Sequence, residues 1–250
     1  MIIKRNFDYY GANRPLHIYL PDTYDQTDER YPVMYFFDGH NLFYDSDATY
    51  GKSWGLKTFL DSWEKEMIVV GMECSHVGNE RLEEYLPYPA TTTAFGPLAV
   101  KGNETLDWIV NQVKPVIDRE YRTYPHRQCT GIAGSSMGGL MSIRGVIHYN
   151  QVFSKAACVS PSVNMCYAQL YAQLRDTPID PDTRVYLSWG EVEARDRRTL
   201  ARMTQQNLAL CSLLMARQAR VLPFLQEEGR HCEEDWSRQA DEFMRFLWLE

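Results

Sequence analysis

Ser136 lies in Gly134-Ser135-Ser136-Met137-Gly138, a G-x-S-x-G pattern inside the small-residue stretch GIAGSSMGGLMS (131–142). A serine hydroxyl is a weak nucleophile until a neighbouring base takes its proton. In a nucleophile elbow the serine occupies a strained strand-to-helix turn, and the flanking glycines remove side chains that would clash there. The helix starting behind it offers backbone N–H groups to a developing oxyanion. A glycine-rich turn without chemistry has the same composition, so the flanks decide. QCTGIAGS (128–135) reads as a buried strand and MGGLMSIRGVIHY (137–149) as a helix.

Such a serine needs a base and an acid, expected in the order serine, acid, histidine. Of histidines 17, 40, 76, 126, 148 and 231, only the last two follow Ser136. His148 falls about three turns into the following helix, cannot fold back, and reads as structural. His231, in EEGRHCEEDW, lies between the last expected strand and the last expected helix, where a base over the sheet's carboxyl edge belongs. The acid should follow a strand, and TRVYLSWGEVEARD offers Glu191, Glu193 and Asp196. A buried carboxylate there would fix the imidazole tautomer and stabilise the imidazolium. Asp176, Asp180 and Asp182 precede that strand and read as turn and cap residues.

The elements that must position these groups alternate along the chain. PLHIYLP (15–21), YPVMYFFDGH (31–40), MIVVGME (67–73), FSKAACVSPS, TRVYLSWG and ARVLPFLQEEG carry strand patterns. WGLKTFLDSWEKEM (54–67), NETLDWIVNQVKPVIDREY (103–121, bent or divided at Pro115), DRRTLARMTQQNLALCSLLMARQ and CEEDWSRQADEFMRFLWLE carry helical ones. This alternation predicts an α/β fold, a mostly parallel sheet with helices on both faces, as one domain over residues 1–250. The Pro- and Thr-rich segment near 87–100 reads as a surface loop, expected to form a lid or substrate wall with Tyr85, Tyr88 and Phe95.

The 250 residues are 44% hydrophobic and carry a net charge of −7, which argues against a nucleic-acid partner. No apolar run is long enough to span a membrane, and no signal-peptide pattern opens the chain. Six cysteines without C-x-x-C spacing read as reduced, mainly buried thiols in a cytoplasmic protein. Asp38, His40, Asp45 and Asp47 cluster in DGHNLFYDSD but match no metal-ligand spacing, so no metal is expected.

YPVMYFFDGHNLF, SWGLKTFL, REYRTYP, GIAGSSMGGLMSI and VFSKAACVSPS together resemble the esterase D-like (feruloyl esterase-like) family of α/β-hydrolases, over residues 10–248. That family includes feruloyl and acetyl-xylan esterases, siderophore esterases, S-formylglutathione hydrolases and mycolyltransferases. The resemblance implies Ser136, not Ser135, as nucleophile, and His231 of Gly229-Arg230-His231…Trp236 as base. It implies Glu193, third after Gly190, as acid, with Asp196 and then Glu191 in reserve. It implies oxyanion donors at the backbone N–H groups of Met137 and His40. Trp54 is matched to an aromatic near the pocket, with a core position as the alternative reading. Arg81, with Glu84, is expected at the pocket entrance. Cys232, beside the base, has no nucleophilic role while Ser136 holds the elbow.

The implied activity is hydrolysis of a small acyl or aryl ester through an acyl-enzyme, with no cofactor and with homo-oligomerisation left open. Siderophore ester hydrolysis, thioester hydrolysis, acyl transfer, and a catalytically silent binding module are the alternatives.

Overall fold

The computed structural model describes residues 1–90 and 95–250. The apolar runs seen in the sequence become strands of one eight-stranded sheet, ordered β1-β2-β4-β3-β5-β6-β7-β8. β1 (Ile2–Tyr9) and β2 (Ala12–Tyr19) form an antiparallel hairpin, and β2 runs antiparallel to β4 (Ile68–Met72). β3 (Val33–Phe37), β4, β5 (Thr130–Ser135), β6 (Lys155–Val159), β7 (Arg184–Gly190) and β8 (Arg220–Gln226) are mutually parallel.

The central strands β3, β4, β5 and β6 are buried at every position because both faces are covered, and β3 and β4 are apolar throughout. In β3, Val33, Tyr35 and Phe37 point into one core, and Met34 and Phe36 into the other. The first core is roofed by α3 (Gly102–Trp108), α4 (Lys114–Glu120), α5 (Met137–His148), α6 (Tyr167–Asp176) and α7 (Arg197–Ala216). The second is covered by α1 (Leu56–Ser62), α8 (Glu233–Ser237) and α9 (Ala240–Trp248). The short α2 (Glu80–Glu84) follows the loop after β4.

The structure differs from the expected elements in five places, the first being the short helix α2 in a segment expected to be loop. β1 was not expected; its half-buried alternation makes it the sheet's edge. α6 was also not expected, since it buries only Leu170 and Leu174. The helix expected over 103–121 contains a π-turn at Ile109–Val113 just before Pro115. A wider turn there accommodates a residue without an N–H. The C-terminal helix is two helices, α8 and α9.

Of the 87–100 loop, residues 91–94 lie outside the described residues. Its described flanks are tied to the body through Asn103 Nδ2 to Pro87 O (3.1 Å), Gln169 Nε2 to Pro89 O (3.1 Å) and Ala99 N to Glu83 Oε1 (3.2 Å). All six cysteines are free thiols, four of them buried. Among the described residues no helix is long and apolar enough to cross a membrane.

The parallel strands share one consequence for function. Their carboxyl ends release the chain at one edge of the sheet, where ligands bind in open α/β sheets. Asp38 and His40 follow β3, Glu73 and His76 follow β4, and Ser136 follows β5. Ser160 follows β6, Glu193 follows β7 and His231 follows β8.

Candidate active site

Ser136 stands between β5 and α5 with φ +56° and ψ −119°, a conformation that L-residues rarely adopt. The glycines around it are required by close approach. A Cβ on Gly134 would lie 2.8 Å from the backbone carbon of Gly138, and one on Gly138 would lie 2.9 Å from Phe37 Cβ. The turn is pinned from β6: Ser136 N donates to Val159 O (2.9 Å), and Ser162 N donates to Ser136 O (2.9 Å).

His231 Nε2 lies 2.9 Å from Ser136 Oγ, and His231 Nδ1 lies 3.2 Å from Glu193 Oε2. The Glu193 side chain is 2% exposed against 41% for His231. Its Oε1 accepts from Gly190 N (2.8 Å) and from the Ser160 hydroxyl. Ser160, itself at φ +45°, accepts from Trp236 Nε1 (3.0 Å). The Trp236 ring meets the His231 ring edge-on at 4.8 Å. A chain of polar contacts thus runs from Trp236 through Ser160, Glu193 and His231 to Ser136.

The histidine loop is fastened separately. Asp235 accepts from Arg230 N and Nε, both at 2.8 Å. Those hydrogen bonds hold its carboxyl down to about 2, although burial opposes them. Gly190 and Gly229 touch backbone to backbone, so that a Cβ on Gly190 would fall 2.2 Å from Gly229 O.

The other carboxylates considered in the sequence are engaged elsewhere. Asp196 caps α7, accepting from Thr199 N at 2.7 Å, and Glu191 accepts from Glu228 N at 3.2 Å. His148 sits exposed at the end of α5, beside Tyr149.

The Ser136–His231 pair opens into a cleft of about 510 Å³, lined also by Asp38, His40, Asn41, Tyr50, His76, Arg81, Cys232, Glu233 and Trp236. Arg81 grips Asp38 through Nε and Nη2, each at 2.7 Å. Burial alone would raise the Asp38 carboxyl, but the Arg81 charge and hydrogen bonds outweigh it and hold the group below its ordinary value. His40 is pushed down by burial, partly offset by the Asp38 charge. Glu233 is pushed up by burial.

Met137 is the first residue of α5, and His40 lies in a 3₁₀ turn over Gly39–Asn41. Backbone N–H groups in a first turn have no acceptor within their own helix. The Met137 and His40 N–H groups both lie in such turns.

Two expected residues are corrected. Glu84 lies buried in an ion pair with Arg14 rather than at the cleft entrance. Trp54 does not line the cleft; it is 5% exposed and packs against Phe36, Trp236 and Phe243. It precedes α1, whose apolar face is drawn into the second core, and it backs Trp236, which does reach the cleft. Arg81 lines the cleft, whereas Tyr85 is buried against Phe37. Sequence reading did not assign Ser160, Glu233 or His76. Ser160 was visible in VFSKAACVSPS, but its hydroxyl gains a role only once β6 and β7 are adjacent.

An eight-stranded, mostly parallel sheet flanked by helices, with a serine on a strained strand-to-helix turn, defines an α/β-hydrolase. Residues 8–235 match the protein family described as "Putative esterase". The chain belongs to that family and is a carboxylic ester hydrolase.

It is similar to "Uncharacterized protein YbbA" of Bacillus subtilis, 27% identical over 198 residues, covering 78% of this chain and 75% of the relative. It is also similar to "Esterase Rv1288" of Mycobacterium tuberculosis, 27% identical over 147 residues, covering 59% of this chain but only 29% of that protein. Among solved structures, an IroE-like serine hydrolase from Shewanella oneidensis shares the fold at TM-score 0.78 and 16% identity, over 98% of this chain and 79% of that one. A ferulic acid esterase does so at TM-score 0.70 and 15% identity, over 99% and 96%.

Proposed function

We propose that the chain hydrolyses esters of small, polar or aromatic acids through a Ser136–His231–Glu193 triad. The observation that carries this reading is the run of hydrogen-bond contacts from buried Glu193 through His231 to Ser136 Oγ, ending on a strained elbow. Ser136 Oγ attacks the ester carbonyl as His231 Nε2 takes its proton. Glu193 holds the ring with Nδ1–H toward itself and stabilises the imidazolium. The N–H groups of Met137 and His40 receive the oxyanion, where one such donor is worth roughly 10²–10³ in kcat. The intermediate collapses, and the alcohol leaves with the proton from His231. Water then gives its proton to His231 and attacks the acyl-enzyme, and Ser136 recovers its hydrogen as the acid departs.

The cleft supports a short or aromatic acyl group over a long alkyl chain. Its lining is dominated by the Asp38–Arg81 pair, His40, Asn41, His76 and Glu233, with Tyr50 and Trp236 as its aromatic faces. A ferulic acid esterase among the structural neighbours supports an aryl ester.

The test is a panel of p-nitrophenyl esters from acetate to octanoate, plus methyl ferulate, run beside Ser136→Ala. Acetate and ferulate should be turned over with kcat/KM falling as the chain lengthens, and the variant should be inert. A preference for octanoate would overturn the substrate class, and an active Ser136→Ala the mechanism. Adding an acceptor alcohol and analysing products separates acyl transfer from hydrolysis.

A further inference from the structure

We propose that His40, Glu73 and His76 form a binding site for a divalent cation of the zinc class on the wall of the ester cleft. The ligand atoms of the three side chains lie within 4.8 Å of one another. Glu73 Oε2 and His76 Nε2 are already 3.1 Å apart. In a tetrahedral shell with bonds of about 2.0–2.1 Å, neighbouring ligand atoms stand about 3.3 Å apart. A cation can therefore replace the proton between them with little movement, and His76, 55% exposed at its side chain, can swing to complete the shell.

Two imidazole nitrogens and one carboxylate oxygen suit zinc better than magnesium or calcium, which prefer all-oxygen shells. The surroundings orient the donors as metal sites require. His17 Nε2 contacts Glu73 Oε1 at 2.6 Å, and His17 is 1% exposed. Thr49 Oγ1 contacts His40 Nε2 at 2.9 Å, which leaves Nδ1 as the open nitrogen of that ring. His40 Nδ1 is buried without a hydrogen-bond partner, a cost that a metal bond would remove.

The neighbouring trio Asp38, His40 and Cys74 is also close-set. It is a poorer site, because Arg81 holds both Asp38 oxygens and Cys74 is packed in the apolar core. Three protein ligands leave a fourth position for water or a substrate oxygen.

The experiment strips the full chain with a chelator, then titrates Zn²⁺ against a chromophoric competitor and Co²⁺ by visible absorption. One equivalent should bind, and Co²⁺ should give the intense d–d bands of a tetrahedral site. His76→Ala and Glu73→Gln should each weaken Zn²⁺ by more than the roughly 10–100-fold that loss of a supporting partner costs. His231→Asn should bind like the wild type. Metal-free melting curves establish that the variants fold. Absence of stoichiometric binding, binding that survives His76→Ala, or binding lost only in His231→Asn would each overturn the proposal.

Discussion

On one side of the cleft Ser136, Glu193 and His231 are each held at two or more points. On the other, Asp38, His40, His76 and Arg81 meet as side chains from the segments after β3 and β4. The first side is over-determined: strained backbone at Ser136 and Ser160, glycine contacts at Gly134, Gly138 and Gly190, and a carboxylate that is 2% exposed. The second also has strained backbone, at Asp38 (φ +57°), and a tight Gly39–Gly71 approach, but its cleft-facing side chains rest on one bidentate ion pair, the His40–Thr49 contact and a histidine that is 55% exposed. The difference follows from chemistry. The proposed proton transfer requires heavy atoms within about 3 Å, so the triad proposed at Ser136, His231 and Glu193 needs rigid backing. Recognition of a polar substrate tolerates side chains that can readjust.

The largest expected effect breaks the rigid side at its centre. Ser136→Ala should lower kcat by about 10⁴–10⁶-fold with a melting temperature near wild type, read by steady-state kinetics and calorimetry. Next, Glu193→Gln should cost about 10⁴-fold by allowing the wrong imidazole tautomer. Glu191→Gln and Asp196→Asn should stay within about twofold on the same substrate, because neither is bonded to His231. An equal loss in all three would dissolve the assignment of the acid.

On the softer side, Arg81→Ala leaves Asp38 buried and unpaired. Denaturant titration should show a loss of about 3–5 kcal/mol, larger than any change in kcat for a neutral acetyl ester. Arg81→Ala combined with Asp38→Asn should recover much of that stability. If kcat falls as far as in Glu193→Gln, Arg81 belongs to the reacting side and the contrast fails.

The smallest effect concerns the fastening of the histidine loop. The Asp235 carboxyl is held at about 2, below its unfolded value of about 3.9. Its stabilising contribution is therefore complete above pH 4 and disappears as pH falls through about 2. Asp235→Asn should melt lower than wild type at pH 7, and the gap should close between pH 4 and pH 2. A gap independent of pH would assign the effect to packing.

What could be read in advance follows the same division. The elbow is local: strand, G-x-S-x-G and helix are contiguous, so Ser136 was legible from residues 128–149. His231 was legible by elimination, since only it and His148 follow the serine. Glu193 was not separable by spacing from Glu191 and Asp196, because all three sit in one turn; the family resemblance pointed to it. In the structure Asp196 caps α7, while Glu193 turns under Ser160 and Gly190 and reaches His231.

Trp54 went astray because an aromatic at a helix start looks alike in a core and at a pocket rim. The grouping of His40 with Glu73 and His76 could not be seen at all. Those residues sit on different loops, and only the parallel pairing of β3 with β4 brings them together. The acidic cluster that drew attention in the sequence is dispersed instead, with Asp38 on Arg81, Asp45 on Ser53 and Asp47 on Lys4.

The proposed activation of Ser136 as nucleophile is tested most directly by labelling with a fluorophosphonate probe followed by intact mass and peptide mapping. The expected result is a single adduct on Ser136, absent in Ser136→Ala and formed far more slowly in His231→Asn. No adduct on the native protein, or an adduct on Ser135 or Ser162 that persists in Ser136→Ala, would contradict it.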